Sequence, residues 1–332
     1  MKGDDIMIKD IIQKNFTCRK KLADFLLLDE QARESILPKS QFPLNLPFRL
    51  AQKIQKGTLD DPILKQFLPT HKESIKSSGF LSDPVNDVGS QKTYKLLHKY
   101  HGRVLLVCTS ACAMHCRYCF RQNFDYEVKD KTYQEELDYI KNDSSIREVI
   151  LSGGDPLSLP NRVLGNLLKR LSEIKHVKNI RFHTRYPIGI PERIDDPFLT
   201  LLEEIPQQIW FVIHCNHPRE LDDEIFYRLA QLRKIGVMVL NQAVLLKGVN
   251  DNVDVLKELC ETLIDHGILP YYLHQLDRVQ GAGHFEVSEE EGLRLINELR
   301  GVLPGYAVPR YVREIAGEKS KTELLKNKWG QA

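Results

Sequence analysis

From about residue 100 the chain alternates short, nearly continuous apolar runs with longer amphipathic stretches, and this alternation narrows the fold more than any other feature. The apolar runs are Val104–Cys108, Glu148–Leu151, Asn179–His183, Ile209–His214, Val237–Val244 and Pro270–His274. Each is bounded by Gly, Pro or polar residues, as expected of strands covered on both faces of a parallel sheet. Between them, Tyr133–Lys141, Arg162–Ile174, Pro218–Ile235 and Val253–His266 carry a helical pattern. Pro218 reads as the start of the third of these helices and Gly236 as its stop. Six strand–helix units at a spacing of roughly thirty residues predict an α/β fold, a partial (β/α)6 barrel of the TIM-like kind. A closed barrel needs eight units, so six leave room for a large substrate. Residues 1–95 read as a mainly helical N-terminal extension, 96–300 as the barrel and 301–332 as a short C-terminal segment.

In such folds the chemistry gathers at the C-terminal ends of the strands. Cys112 follows the first run, Ser152-Gly153-Gly154-Asp155 the second and Thr184-Arg185 the third. His214 and Asn216 belong to the fourth, Asn241-Gln242 to the fifth, and Gln275 and Asp277 to the sixth. With 47 Lys and Arg against 45 Asp and Glu the chain has no basic excess, so a nucleic-acid partner is not expected. The lysines near the end (Lys319, Lys321, Lys326, Lys328) read on composition alone as a solvated tail. No apolar stretch has the length of a membrane span, and Met1–Lys9 mixes acids with bases, unlike a signal peptide. A cytoplasmic, reducing location is therefore expected. There the seven cysteines do not form a disulfide framework, and three fall within eight residues.

Those three, Cys112, Cys116 and Cys119, have the spacing C-x3-C-x2-C. Three thiolates on so short a loop can each reach a different iron of a [4Fe-4S] cubane, leaving the fourth iron open to a small chelating molecule. The alternative is a zinc knot with Cys108, Cys215 or Cys260 as fourth ligand, although structural zinc usually takes two short pairs.

The motif resembles that of the radical S-adenosylmethionine superfamily. The resemblance implies a cluster that reductively cleaves S-adenosylmethionine, with Tyr118 near the adenine and Gly153-Gly154-Asp155 receiving the methionine amino group. A longer likeness, to the lysine 2,3-aminomutase family, runs through Asp60–Pro69, His98–Leu106, Ile209–Pro218, Asn241–Leu246, Gln275–Phe285 and Gly305–Pro309. It implies pyridoxal phosphate as a further cofactor, because a 1,2 shift of an amino group needs the π bond of an imine for the substrate radical to attack. The cofactor's lysine would lie in Gly317-Glu318-Lys319-Ser320-Lys321-Thr322, where the Lys-Thr step selects Lys321 over its neighbour Lys319. By the same resemblance Arg121 pairs with the substrate carboxylate, and Asp277 and Glu314 take the side-chain ammonium. Glu314 stands where the family usually has Asp. Lys99 and Arg103 would serve the cofactor phosphate, and His214 and Gln242 would touch S-adenosylmethionine or the pyridine ring.

Only 11 residues follow Lys321, and no cysteine follows Cys260. This resembles the branch that makes (R)-β-lysine for elongation factor P, with a lysyl ligase as functional partner and a flavodoxin-type reductase as electron donor. The expected reaction is isomerisation of L-lysine. Its rivals are an aminomutase for another amino acid such as glutamate, and a non-catalytic iron–sulfur or zinc protein.

Overall fold

A computed structural model of the chain describes residues 2–124 and 132–325. Lys326 and Lys328 of the lysine-rich end lie outside them. Ten strands form one sheet in strict chain order: β1 Gln91–Thr93, β2 Leu96–Tyr100, β3 Arg103–Thr109, β4 Glu148–Gly153, β5 Asn179–Thr184, β6 Gln208–His214, β7 Met238–Val244, β8 Leu269–His274, β9 Arg310–Arg313 and β10 Thr322–Glu323. From β3 to β9 every pair is parallel, whereas β1, β2 and β10 add antiparallel strands at the two edges.

The six apolar runs are β3 to β8, each matched within a few residues. Helices return the chain between parallel strands and bury one stripe each. Asn161–Ser172 buries Leu164, Leu167, Leu168 and Leu171; Val253–Asp265 buries Leu256, Leu259, Cys260 and Leu263. Both sets recur at helical spacing, and both join the main core with Ile180, Phe182 and Phe211 of the strands. The result is the expected mixed α/β architecture with an open, barrel-like sheet, lengthened by β9 after the helix Glu289–Val302.

One boundary differs. Pro218 opens only a 3-10 turn, Pro218–Glu220, because the Glu220 carboxylate turns back to accept from the backbone N–H groups of Asn216 and His217. The α-helix Asp223–Lys234 starts afresh at Asp222, whose side chain accepts from Ile225 N at 3.0 Å. Gly236 ends it at φ +82°, as its sequence position predicts.

The edges of the sheet approach each other without pairing. Tyr100 on β2 donates its phenol to Glu314 Oε1, just beyond β9, at 2.5 Å. Lys99 Nζ lies 3.7 Å from the same carboxylate. Side chains, not a backbone ladder, close the wall there. Among the described residues no helix is long and apolar enough to cross a membrane.

Candidate active site

The loop after β3 carries the cysteine triplet, and the N-terminal helices and turns grip it from outside. Asn15 Nδ2 donates to Ala113 O at 2.8 Å, Asn45 Nδ2 to Cys112 O at 3.2 Å, and His115 N to Asn45 O at 2.9 Å. Arg117, between two of the cysteines, is buried and donates to Glu73, to Phe42 O at 2.7 Å and to Ser40. Cys112, Cys116 and Cys119 are unbridged and line one large cavity; Cys108, Cys215 and Cys260 do not. Among the described residues no three His, Cys, Asp or Glu side chains are placed to hold a single metal ion. Burial pushes Cys119 up to about 11, with Cys116 beside it adding to the rise, and Cys112 is raised by burial together with Asp155. Crowded, buried thiols of this kind ionise only with a cation to balance them, and separate irons of a cluster supply it. The donor set therefore fits the cubane and leaves none of the core cysteines for a zinc knot.

The glycine turn after β4 is seated directly on this loop. Gly154 N donates to Thr109 O at 2.7 Å and Asp155 N to Ala111 O at 2.9 Å. A Cβ on Gly154 would come within 2.4 Å of Ala111 O, and Gly153 has φ +116°. Both glycines are thus required by close backbone approach, and the space they spare opens into the cavity. The Asp155 carboxylate accepts from Leu157 N, Thr184 Oγ1 and Arg185 N at 2.7–3.0 Å. Burial nevertheless raises it to about 6.

Beneath the cysteines runs a buried polar network with little sign in the local sequence. Arg185 donates to Tyr118 Oη at 2.6 Å and to Gln66 Oε1 and Glu220 Oε2 at 2.7 Å each. Asn216 Nδ2 donates to Tyr118 Oη at 2.7 Å, so the tyrosine ring is fixed from two sides. Arg185 and Asn216 stand at strand ends as expected, but Gln66 and Glu220 join from remote segments. Of the other strand-end residues, Asn241 clasps the backbone of Cys215 and Gln275 holds Val287 O and the Tyr311 phenol. Neither lines the cavity.

At the opposite end of the same cavity stand Lys99, Arg103, Arg121, Asp277, Glu314 and Lys321. Lys99 donates to Val85 O and pairs with Asp87 Oδ1, both at 2.7 Å. Asp87 Oδ2 accepts from Arg121 Nε at 2.7 Å. Burial would raise the Asp87 carboxyl, but Arg121 and Lys99 hold it below its ordinary value. Glu314 is also held low against its burial, by Lys321 at 2.5 Å and by the Tyr100 phenol. Asp277 goes the other way: burial lifts it to about 6, and Lys321 only partly offsets this. Lys319, by contrast, is exposed and outside the cavity.

The central wall carries three histidines, His183, His214 and His274, with Gln242 hydrogen-bonded to His214 and 3.3 Å from His274 Nε2. Burial keeps them neutral; His214 falls to about 3, with the charge of Arg185 contributing. Tyr118, Gly153, Gly154, Asp155, His214 and Gln242 share the cavity with the cysteines and with Lys321, whereas Asn216, Asn241, Gln275 and Lys319 stand outside its lining. The structure adds Asp87, Arg181, His183, His274 and Tyr100 to them.

Residues 101–204 match a family model described as a 4Fe-4S single cluster domain. An L-lysine 2,3-aminomutase of Haemophilus influenzae is 43% identical over 299 residues, covering 89% of this chain and 88% of that protein. The L-lysine 2,3-aminomutase of Escherichia coli is 42% identical over 305 residues, covering 90% and 89%. A solved radical SAM methyltransferase from Sphaerobacter thermophilus shares 19% identity over 65% of this chain and 68% of that one at a TM-score of 0.44, too slight a likeness to add to the assignment. The extent and identity of the sequence matches make this chain a member of the lysine 2,3-aminomutase family, an isomerase family.

Proposed function

We propose that the chain converts L-lysine to (R)-β-lysine with a [4Fe-4S] cluster, S-adenosylmethionine and pyridoxal phosphate. The observation that carries the reading is the pair of carboxylates, Asp277 and Glu314, flanking Lys321 in the cavity that also holds the three cysteines. Two acids suit a substrate whose side chain ends in an ammonium and oppose a glutamate side chain. When bound, the cluster and S-adenosylmethionine supply a carbon radical, and pyridoxal phosphate supplies the π bond across which nitrogen migrates.

The chain's own residues hold and orient. Cys112, Cys116 and Cys119 would ligate the cluster, and the space spared at Gly153 and Gly154 suits an amino group brought against backbone carbonyls. Tyr118, fixed by Arg185 and Asn216, would line the adenine site. His214 and Gln242, kept neutral, would donate and accept without adding charge. Lys321 would carry pyridoxal phosphate. Arg103, which lies over the Tyr100 ring 4.8 Å from its centroid, would meet the cofactor phosphate, whereas Lys99 already serves Val85, Asp87 and Glu314. Arg181, whose Nε is buried with no hydrogen-bond partner among the described residues, is a second candidate. Arg121 would take the substrate carboxylate, with Asp87 steadying its Nε edge. The finer assignment, a cytoplasmic enzyme supplying elongation factor P and its lysyl ligase and reduced by a flavodoxin-type donor, rests on the branch resemblance.

Reconstituted protein given dithionite, S-adenosylmethionine and L-lysine should form β-lysine; no product from fully loaded protein would refute the reading. Borohydride reduction followed by peptide mass spectrometry should find pyridoxal phosphate on Lys321. Recovery on Lys319 would reassign the cofactor lysine.

Burial of the Asp277 carboxyl makes ammonium capture depend on pH. With an ordinary carboxyl near 4 raised to about 6, Asp277 is protonated in the ligand-free protein below that pH. An arriving ammonium favours the ionised form, so capture releases a proton at pH 5 and not at pH 8. In protein loaded with pyridoxal phosphate, where Lys321 no longer offsets the burial of Asp277, L-lysine affinity should therefore fall with pH from about 6 or somewhat above, by up to about ten-fold per unit, and level off at higher pH. In the Asp277→Asn variant calorimetry should show weaker binding and no such step. An unchanged step in that variant would remove Asp277 from the ammonium site.

A further inference from the structure

Lys321 has a partner before any cofactor is attached. Its ammonium lies 2.5 Å from Glu314 Oε2, while Glu314 Oε1 accepts from the Tyr100 phenol. The Asp277 carboxylate has no hydrogen-bond partner among the described residues, and Lys321 is the foremost favourable charge acting on it. Around this end of the cavity the carboxylates are Asp87, Asp277 and Glu314, and the cations are Lys99, Arg121 and Lys321, with Arg103 and Arg181 beside them. The three acids are outnumbered by the five cations, so no net negative charge is left over to draw in another ammonium. An extra cation would also have to be desolvated beside a like charge.

We propose that Lys321 itself occupies the ammonium subsite until pyridoxal phosphate is attached, so that attachment of the cofactor creates the place for the substrate's ammonium. The inference rests on the reading of Asp277 and Glu314 as ammonium ligands. The chemistry balances. Condensation of the Lys321 ammonium with the cofactor aldehyde forms a carbon–nitrogen double bond and releases one water and one proton. Any proton retained on that nitrogen is matched by the cofactor's own phenolate oxygen. The two acids then lose their internal cation, and an ammonium of the same charge and size is the natural replacement. Binding is thereby ordered: cofactor first, amino acid second. An amino acid arriving early meets a neutralised site, so the cavity is not blocked by substrate before it is competent.

The test uses the full chain with its cluster but stripped of pyridoxal phosphate, and reads binding by calorimetry. Lys321→Met removes the charge and keeps the bulk of the side chain; Lys321→Arg keeps the charge. L-Lysine and n-pentylammonium should each bind the methionine variant about ten-fold or more tighter than the wild type, and the arginine variant no tighter. Adding Glu314→Gln to Lys321→Met should abolish the gain. Equal affinity of wild type and methionine variant for both probes would overturn the proposal, even if the loaded enzyme isomerises L-lysine. A gain for n-pentylammonium, in a protein whose loaded form leaves L-lysine unchanged, would sustain the internal occupant and refute the substrate reading instead. Lys321→Gln carries the same expectations and replaces the methionine variant should that one not fold.

Discussion

Truncating Glu220 to alanine should cost about 3–5 kcal/mol of folding stability, the usual consequence of stranding a buried charge. Glu220 is 0% exposed and its partner Arg185 is 5% exposed, so water does not take over when the carboxylate leaves. The carboxylate accepts from Arg185 at 2.7 Å, from Gln66 at 3.1 Å, and from the backbone N–H groups of Asn216 and His217 at 3.1 and 3.0 Å. All four donors would lose an acceptor together, and the two backbone N–H groups have no other among the described residues. Glu220→Gln keeps one oxygen but turns an amide N–H₂ toward a donor, and should cost about 1–3 kcal/mol. Urea unfolding of anaerobic protein measures both. A loss below about 1 kcal/mol for the alanine variant would mean that Arg185 finds other company and that the network does not depend on this acid. Because Arg185 and Asn216 hold Tyr118, the alanine variant should also retain less iron.

Gly154→Ala should be nearly inactive, with at least a hundred-fold loss of turnover. The added methyl would sit 2.4 Å from Ala111 O and 2.6 Å from Ser110 O. Both are backbone atoms of the cysteine loop, so relief requires the loop itself to move. Overpacking of this kind typically costs about 1–3 kcal/mol. The larger effect is geometric, because Cys112 is one residue from the displaced carbonyl. Iron content and the electron paramagnetic resonance of the reduced cluster, with and without S-adenosylmethionine, separate the two effects. Wild-type turnover in this variant would show that the loop and the turn are not in register as described. Gly301→Ala, where nothing lies within 4 Å of an added Cβ, is the matching control for a glycine in open space.

The parallel strands were legible because burial on both faces leaves a local mark: an unbroken apolar run ending in Gly, Pro or a polar residue. The edge strands leave none. β9 spans Arg310–Arg313 and β10 Thr322–Glu323, too short for any periodicity, and they form because β8 offers an unsatisfied edge. The helix starts at Asp223 although Pro218 is a sound opening signal locally, because the Glu220 carboxylate that ends that turn is fixed by Arg185, 35 residues away.

The site divides in the same way. The cysteines, the glycine turn, Asp277 and Lys321 could be named because their spacing or their resemblance marks them. Asp87 could not. It precedes the sheet in an unremarkable stretch, and its importance comes from Lys99 and Arg121 meeting around it. In the sequence His183 and His274 carry no mark beyond ending an apolar run. Only the register of β5 to β8, which brings them round the same wall as His214 and Gln242, sets them apart.

The wall joint between Tyr100 and Glu314 has one more consequence. A sheet finished by backbone pairing is shut by groups that never change state, whereas this one is shut by a phenol and a carboxylate that also answers to Lys321. The fastening and the chemistry draw on the same atoms. Whatever alters the charge of Lys321 also alters the grip of β2 on the segment beyond β9, so the mechanical stiffness of the container becomes a function of what it contains.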